Sequence, residues 1–278
     1  MSVWYPRFYP AFRCRASACL HSCCRGWEID VDEDSAELYR GLSGELGDAL
    51  REALFSDEEG WHFRLDVEER CPFLETDGLC RLIREAGEEA LCDICALHPR
   101  FFEELGADEL WGLGLSCEEA TALLLKEKEL RFVCRETGAE SDLAGLLDAL
   151  GLTVPPEALR YVPRLGEERR REILRRFGKT EPIDDIWPRE LAALEQSPLP
   201  EKREGGDYQR IYEYILYRQL EKAEQWGWSA ITDYAALCTD FVVLWDALVP
   251  DTAGHLRRFS EQIEYSTENV EILMGEDA

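Results

Sequence analysis

The sequence predicts a mainly α-helical protein with a few short strands. It divides into a cysteine-rich metal-binding half, residues 1–135, and a helical half, residues 136–278. Three observations predict this. Eight of the eleven cysteines fall between Cys14 and Cys95, most of them in short pairs, and only Cys238 follows Cys134. Apolar residues recur at helical spacing through the second half. Strand-like alternation is confined to short runs such as Trp61, Phe63, Leu65 and Val67.

The composition is that of an ordered chain: 45% of residues are hydrophobic and 10% aromatic, ample for a core. The net charge of -27 repels phosphate backbones, so no nucleic-acid partner is expected. An acidic surface favours solubility and also suits a basic or lysine-bearing partner. No segment approaches the roughly 20 apolar residues that span a bilayer. Met1-Ser-Val-Trp-Tyr-Pro-Arg lacks the basic and apolar regions of a signal peptide, so a cytoplasmic location is expected. In a reducing compartment, eleven cysteines point to metal rather than to disulfides.

Taken in order, Val3 to Phe12 is an aromatic lead-in broken by Pro6 and Pro10, read as an extended arm that packs its rings on the domain. Cys14 to Trp27 is a loop, and Trp27 to Val31 a short strand. Adjacent Cys23 and Cys24 would form a strained ring if joined, so they point in different directions. Asp34 or Ser35 caps a helix to about Phe55, broken near Gly41, Gly44 and Gly47. Trp61 to Val67 is a strand. Cys71 to Cys80 is a hairpin turning at Asp77-Gly78, which brings its terminal cysteines together. Arg81 to Ala90 is a charged helix leading into Cys92-Asp-Ile-Cys95, the form of a metal knuckle, with His98 an optional further ligand.

Ser116-Cys-Glu-Glu119 has the form of a capping box that starts a helix to about Phe132. That places Cys117 in a first helical turn, where it serves either as a thiolate ligand or as a small buried residue. Cys134 and Cys238 read as core. Beyond them, Ser141 caps a helix ending at Gly151, and Glu167 to Phe177 is a helix with a solvated arginine face. A short helix spans Arg189 to Glu195. Asp207 caps a helix through Leu220, and Ser229 starts another to about Leu248 with Tyr234, Leu237, Phe241, Leu244 and Leu248 on one face. Residues 254–265 and 266–274 complete the chain. The tyrosines at 208, 212, 214 and 217 read as packing.

Short spacings let two sulfurs reach one metal with little loop entropy to overcome. The candidate ligands are Cys14, Cys19, Cys23, Cys24, Cys71, Cys80, Cys92, Cys95 and Cys117. These exceed the four needed by one zinc or one cluster, so either two sites exist or several thiols are structural. No Gly-x-Gly-x-x-Gly, Walker loop or Cys-x3-Cys-x2-Cys triplet is present, and no nucleophile–histidine triad is legible.

Several motifs carry a resemblance. Phe12-Arg-Cys14-x4-Cys19-x3-Cys23-Cys24-Arg-Gly-Trp27, Arg70-Cys-Pro-Phe-Leu74 with Leu79-Cys80, Leu91-Cys-x2-Cys95-x3-Pro-Arg100, Leu115-Ser-Cys117-x-Glu-Ala120 and Phe259-Ser-x-Gln-Ile-Glu-Tyr-Ser266 resemble the flagellin lysine-N-methylase family. The cysteine arrangement is also similar to the broader cysteine-rich zinc- or iron-chelating proteins. Glu118 stands where the lysine-N-methylase family usually has proline, and the chain is shorter than that family's typical members. The resemblance implies an iron–sulfur protein, with a 4Fe–4S cluster, that transfers methyl groups from S-adenosylmethionine to lysines of a flagellin-type protein substrate. A non-catalytic zinc- or iron-binding module for metal handling or assembly is the alternative.

Overall fold

The aromatic lead-in is extended only over its first residues, which form a strand at the centre of a sheet, and it then turns into a 3-10 helix at Tyr9–Ala11. In the computed structural model, which describes residues 1–196, 199 and 208–275, β1 is Val3–Pro6. The chain then divides into two units: residues 13–99, and residues 1–12 together with those from 100 onward. The division expected after residue 135 therefore falls inside the larger unit.

Within residues 13–99, β2 (Asp30–Val31), β4 (Trp61–Phe63) and β3 (Leu54–Ser56) make a three-stranded antiparallel sheet in that order. Between β2 and β3 lie α1 (Glu33–Gly41) and α2 (Gly44–Ala53), two helices as the glycines foretold. The N-cap of α1 is Asp32, whose carboxylate accepts from the Ser35 amide at 2.8 Å, not Asp34 or Ser35. The strand expected over residues 61–67 stops at Phe63. The helix expected over residues 81–90 is α3 (Arg81–Ala86) followed by a 3-10 turn at Glu88–Ala90, because Gly87 adopts φ 91° between them. The unit ends in α4 (Asp93–Leu97). Its core is thin: Tyr39 stacks on Phe63, with Leu50, Phe73, Leu82, Cys71 and Cys92 around them.

The larger unit holds a hairpin that apolar patterning did not reveal: β5 (Arg100–Leu105) and β6 (Asp108–Leu113), turning at Gly106 with φ 63°. With β7 (Phe132–Cys134) and β8 (Glu140–Ser141) they form a sheet in the order β5-β6-β1-β7-β8. There β1 runs parallel to β6 and antiparallel to β7. Phe132 thus belongs to a strand, and α5 (Glu118–Lys126) ends before it. The capping box does not form: Cys117 holds the N-cap position and the Ser116 hydroxyl is buried with no hydrogen-bond partner. Helix α6 (Leu143–Ala149) is capped by Asp142, not Ser141.

The rest is helical: α7 (Glu167–Phe177), α8 (Trp187–Glu195), α9 (Gln209–Arg218), α10 (Ala223–Leu248), α11 (Thr252–Phe259) and α12 (Thr267–Met274), with a π-turn at Ser260–Glu264. The expected Asp207 cap of α9 lies outside the described residues. Helix α10 breaks at Gly227, φ 79°, and its part beyond Ser229 is buried nearly all round rather than on one face. Two arginines of α7 are not solvated: Arg169 pairs with buried Asp240 at 2.8 Å and Arg176 donates to the Leu273 carbonyl. The α9 tyrosines are packing residues as expected: Tyr212 stacks on Tyr161, and Tyr214 and Tyr217 meet the sheet. The Tyr214 hydroxyl bonds both the amide and carbonyl of Leu113, and that of Tyr217 meets the carbonyls of Trp4 and Trp111. Cys134 and Cys238 are core residues. Among the described residues no helix is long and apolar enough to cross a membrane.

On α9, burial pushes the Glu213 carboxyl up to about 7 although Gln209 donates to it. The unfolded carboxyl ionises near 4.3, so between those values the native state binds the extra proton and stability falls as pH rises. Glu213→Gln is expected to stabilise the protein at pH 8 by ~1–3 kcal/mol and to leave it unchanged at pH 4. Urea melts at the two pH values check this; equal shifts at both would refute it.

Candidate metal centre

The structure places Cys14, Cys19, Cys23, Cys24, Cys71, Cys80, Cys92 and Cys95 on the 13–99 unit, and Cys117 on the other. Backbone pairing assembles the first unit's thiols. Arg25 bridges Arg70 in antiparallel sense, and the Cys71 amide donates to the Cys24 carbonyl at 2.8 Å. The turn predicted after Cys71 forms, closed by the Glu75 amide on Leu79 and by a Leu74–Cys80 bridge. Gly78 is needed there twice over. Its φ is 79°, and a Cβ would stand 3.2 Å from the Ser17 Cα. The Ala16–Ala18 turn of the first cysteine loop therefore packs on the second.

Five sulfurs share one patch. Cys71 feels the charges of Cys24, Cys80 and Cys92; Cys95 feels those of Cys92, Cys24 and Cys71. Cys23 is exposed and bonds the Cys24 sulfur, holding that thiol down at about 6. Burial pushes Cys71 up to about 12 and raises Cys80. Within the Cys-x2-Cys knuckle the two thiols bond each other, which lowers Cys92 and raises Cys95. Backbone amides also face the sulfurs: Phe73 that of Cys71, Leu82 and Ile83 that of Cys80, Cys95 that of Cys92. Amides aimed at sulfur stabilise thiolates and orient metal ligands.

The other candidates stand differently. Cys14 is exposed, its sulfur accepting from the Ala16 amide at 3.3 Å, and Cys19 is half-buried. Cys117 is half-buried on the larger unit. Burial lowers His98 to about 4.

Two supporting residues went unread in the sequence. Tyr39 of α1 donates its hydroxyl to the Ala90 carbonyl at 2.8 Å and faces Cys92 and Cys95. Asp32 accepts from the Asp93 amide at 2.9 Å and so ties α4 to the start of α1. The signal for Asp32 was its capping residue type; for Tyr39 there was none, since an aromatic on a helix reads as core.

The donor set suits a thiophilic metal or cluster: several sulfurs in one half-buried patch, with amides turned toward them. Among the described residues, no three His, Cys, Asp or Glu side chains close into a group that would hold a metal ion as they stand. The fit is therefore one of donor chemistry and not of formed coordination geometry.

Comparison with known proteins agrees with the motif reading. The chain is 27% identical over 143 residues to the lysine-N-methylase of Salmonella typhimurium and, to the same extent, to that of Salmonella choleraesuis. Each match covers 49% of this chain and 36% of the relative, so the chain spans little more than a third of the length of those proteins. It is also 27% identical over 135 residues to the flagellar biosynthetic protein FliU of Salmonella muenchen, covering 46% of this chain and 80% of that protein. No family model matches. No solved structure matches. The chain thus resembles the flagellin lysine-N-methylases.

Proposed function

We propose that this chain is an iron–sulfur-dependent protein lysine N-methyltransferase that uses S-adenosylmethionine and acts on a flagellin-type acceptor. The similarity to proteins named lysine-N-methylase carries the reading. The sulfur patch supports the cofactor. Cys24, Cys71, Cys92 and Cys95 are the proposed ligands of a 4Fe–4S cluster, with Cys80 within reach. Such a cluster, when bound, would supply iron as a Lewis-acidic or redox centre.

The chemistry asks two things of the protein. The acceptor lysine must lose a proton so that its nitrogen lone pair can form the new C–N bond, while the sulfonium C–S bond breaks and its electron pair remains on sulfur. The acceptor segment must also be drawn in, and the charge of -27 favours a lysine-bearing one.

The alternative, a non-catalytic zinc or iron module, is favoured by one observation: the matches to the lysine-N-methylases cover only 36% of those proteins. Iron, zinc and acid-labile sulfide should be measured on protein purified without oxygen, followed by transfer of labelled methyl from S-adenosylmethionine to flagellin. The expected result is about four irons and four sulfides per chain, broad absorption near ~400 nm and label on lysine. Zinc without sulfide, and no label transferred, would establish the metal-handling module instead.

A further inference from the structure

Where α9, the π-turn and the residue after β6 meet, the larger unit buries a set of polar atoms that it does not satisfy. Arg218 ends α9, and its guanidinium lies over the rings of Phe101 and Tyr265, 5.0 and 5.2 Å from their centroids. Its Nη2 donates to the Glu264 backbone carbonyl at 3.2 Å, while its Nη1 stands 3.5 Å from Glu264 Oε2 without a hydrogen bond. Arg218 Nη1 and both carboxylate oxygens of Glu264 are buried without a hydrogen-bond partner, and the Glu264 side chain is 0% exposed. The fully buried Tyr234 side chain, which bonds the Cys238 sulfur, feels both charges, and the Ser260 hydroxyl is buried without a partner.

Leaving a buried carboxylate without hydrogen bonds is costly, and here Glu264 adjoins an Arg218 whose Nη1 is also unmatched. The backbone is adapted to hold them. Ser260–Glu264 is a π-turn, the irregularity that recurs at functional sites. It is pinned from its other side, where Gln262 accepts from the Ile183 amide and Asn269 donates to the Gln262 carbonyl. Gly114 admits the cluster, since a Cβ there would stand 2.1 Å from the Tyr265 hydroxyl and 3.3 Å from Arg218 Nη1.

We infer that this cluster is a binding site for the α-amino acid end of a small molecule. The carboxylate of the ligand would take Arg218 Nη1, and its ammonium the two Glu264 oxygens. A lone anion would meet the charge of Glu264 and a lone cation that of Arg218. Only a ligand carrying both charges on adjacent atoms completes both groups. Resting on the reading above, the ligand is S-adenosylmethionine, and this site receives its methionine portion. Both the Leu115–Ala120 and Phe259–Ser266 motifs adjoin the site, through Gly114 and Glu264, although they bear no metal knuckle.

The test is equilibrium binding of S-adenosylmethionine, 5′-methylthioadenosine (which lacks the amino-acid end) and L-methionine to the full chain purified without oxygen. The wild type should bind S-adenosylmethionine about tenfold or more tighter than 5′-methylthioadenosine. Arg218→Met and Glu264→Gln should each remove that advantage and leave 5′-methylthioadenosine unchanged. Equal wild-type affinity for the two nucleosides would overturn the site without recourse to the variants, should these fold poorly. Undiminished S-adenosylmethionine binding in both folded variants would overturn it while sparing the methyl-donor reading. Binding of L-methionine but not of S-adenosylmethionine, lost in both variants, would keep the amino-acid site and end the methyl-donor reading. If no ligand binds, the buried atoms are satisfied by water and the site falls, leaving the methyl-transfer assay to decide the reading by itself.

Discussion

Cys71→Ser is expected to lose most of the bound metal and to unfold residues 13–99 at a lower temperature, whereas Cys238→Ser keeps full metal content. The two thiols are alike in burial, 8% and 0% exposed, so burial does not separate them. Their neighbours do. Cys71 is surrounded by Cys24, Cys80 and Cys92, and burial lifts its thiol to about 12, which leaves it protonated unless a cation compensates the thiolate. Cys238 sits in the core of the larger unit beside Tyr234, and burial dominates its raised pKa. The smaller unit has two short helical pairs and a three-stranded sheet around a thin core. A structural metal site contributes on the order of 10 kcal/mol to such a unit. Metal analysis alongside calorimetry reads both effects, and equal metal loss in the two variants would refute the partition.

Asp240→Ala is expected to cost the larger unit ~3–5 kcal/mol. Asp240 is fully buried in α10 and accepts from the Tyr161 hydroxyl at 2.7 Å, the Arg164 amide at 3.2 Å and Arg169 Nε at 2.8 Å. Truncation strands all three donors, and the Arg169 guanidinium, only 11% exposed, keeps Glu172 alone. Asp240→Asn retains the shape and one acceptor, so it should cost less. Chemical denaturation of the two variants measures the difference. A loss below ~1 kcal/mol for the alanine variant would show that the network is not a determinant of stability.

Much of this was legible in the residues, for identifiable reasons. Helix α7 was read at its full length because its charges and apolar positions repeat locally, and the turn after Cys71 because Asp77-Gly78 encodes it within four residues. The clustering of thiols between Cys14 and Cys95 was plain from spacing, and those eight thiols all lie within residues 13–99. Local pattern also misled. Ser116 has the form of a cap but is buried instead, and the arginines of α7 looked solvated because their acceptors, Asp240 and the Leu273 carbonyl, lie far along the chain.

What sequence alone determined, then, is what depends on neighbours a few residues apart: helices, tight turns and the short cysteine pairs. Tertiary structure decided the rest. It placed β1 between β6 and β7, drew Cys24, Cys71, Cys80, Cys92 and Cys95 into one patch, and set Arg218 against Glu264 beside Gly114. Such pairings join positions tens of residues apart. Their free energy comes from burial and strand pairing that exist only once the chain has closed, and no local period in the sequence records them.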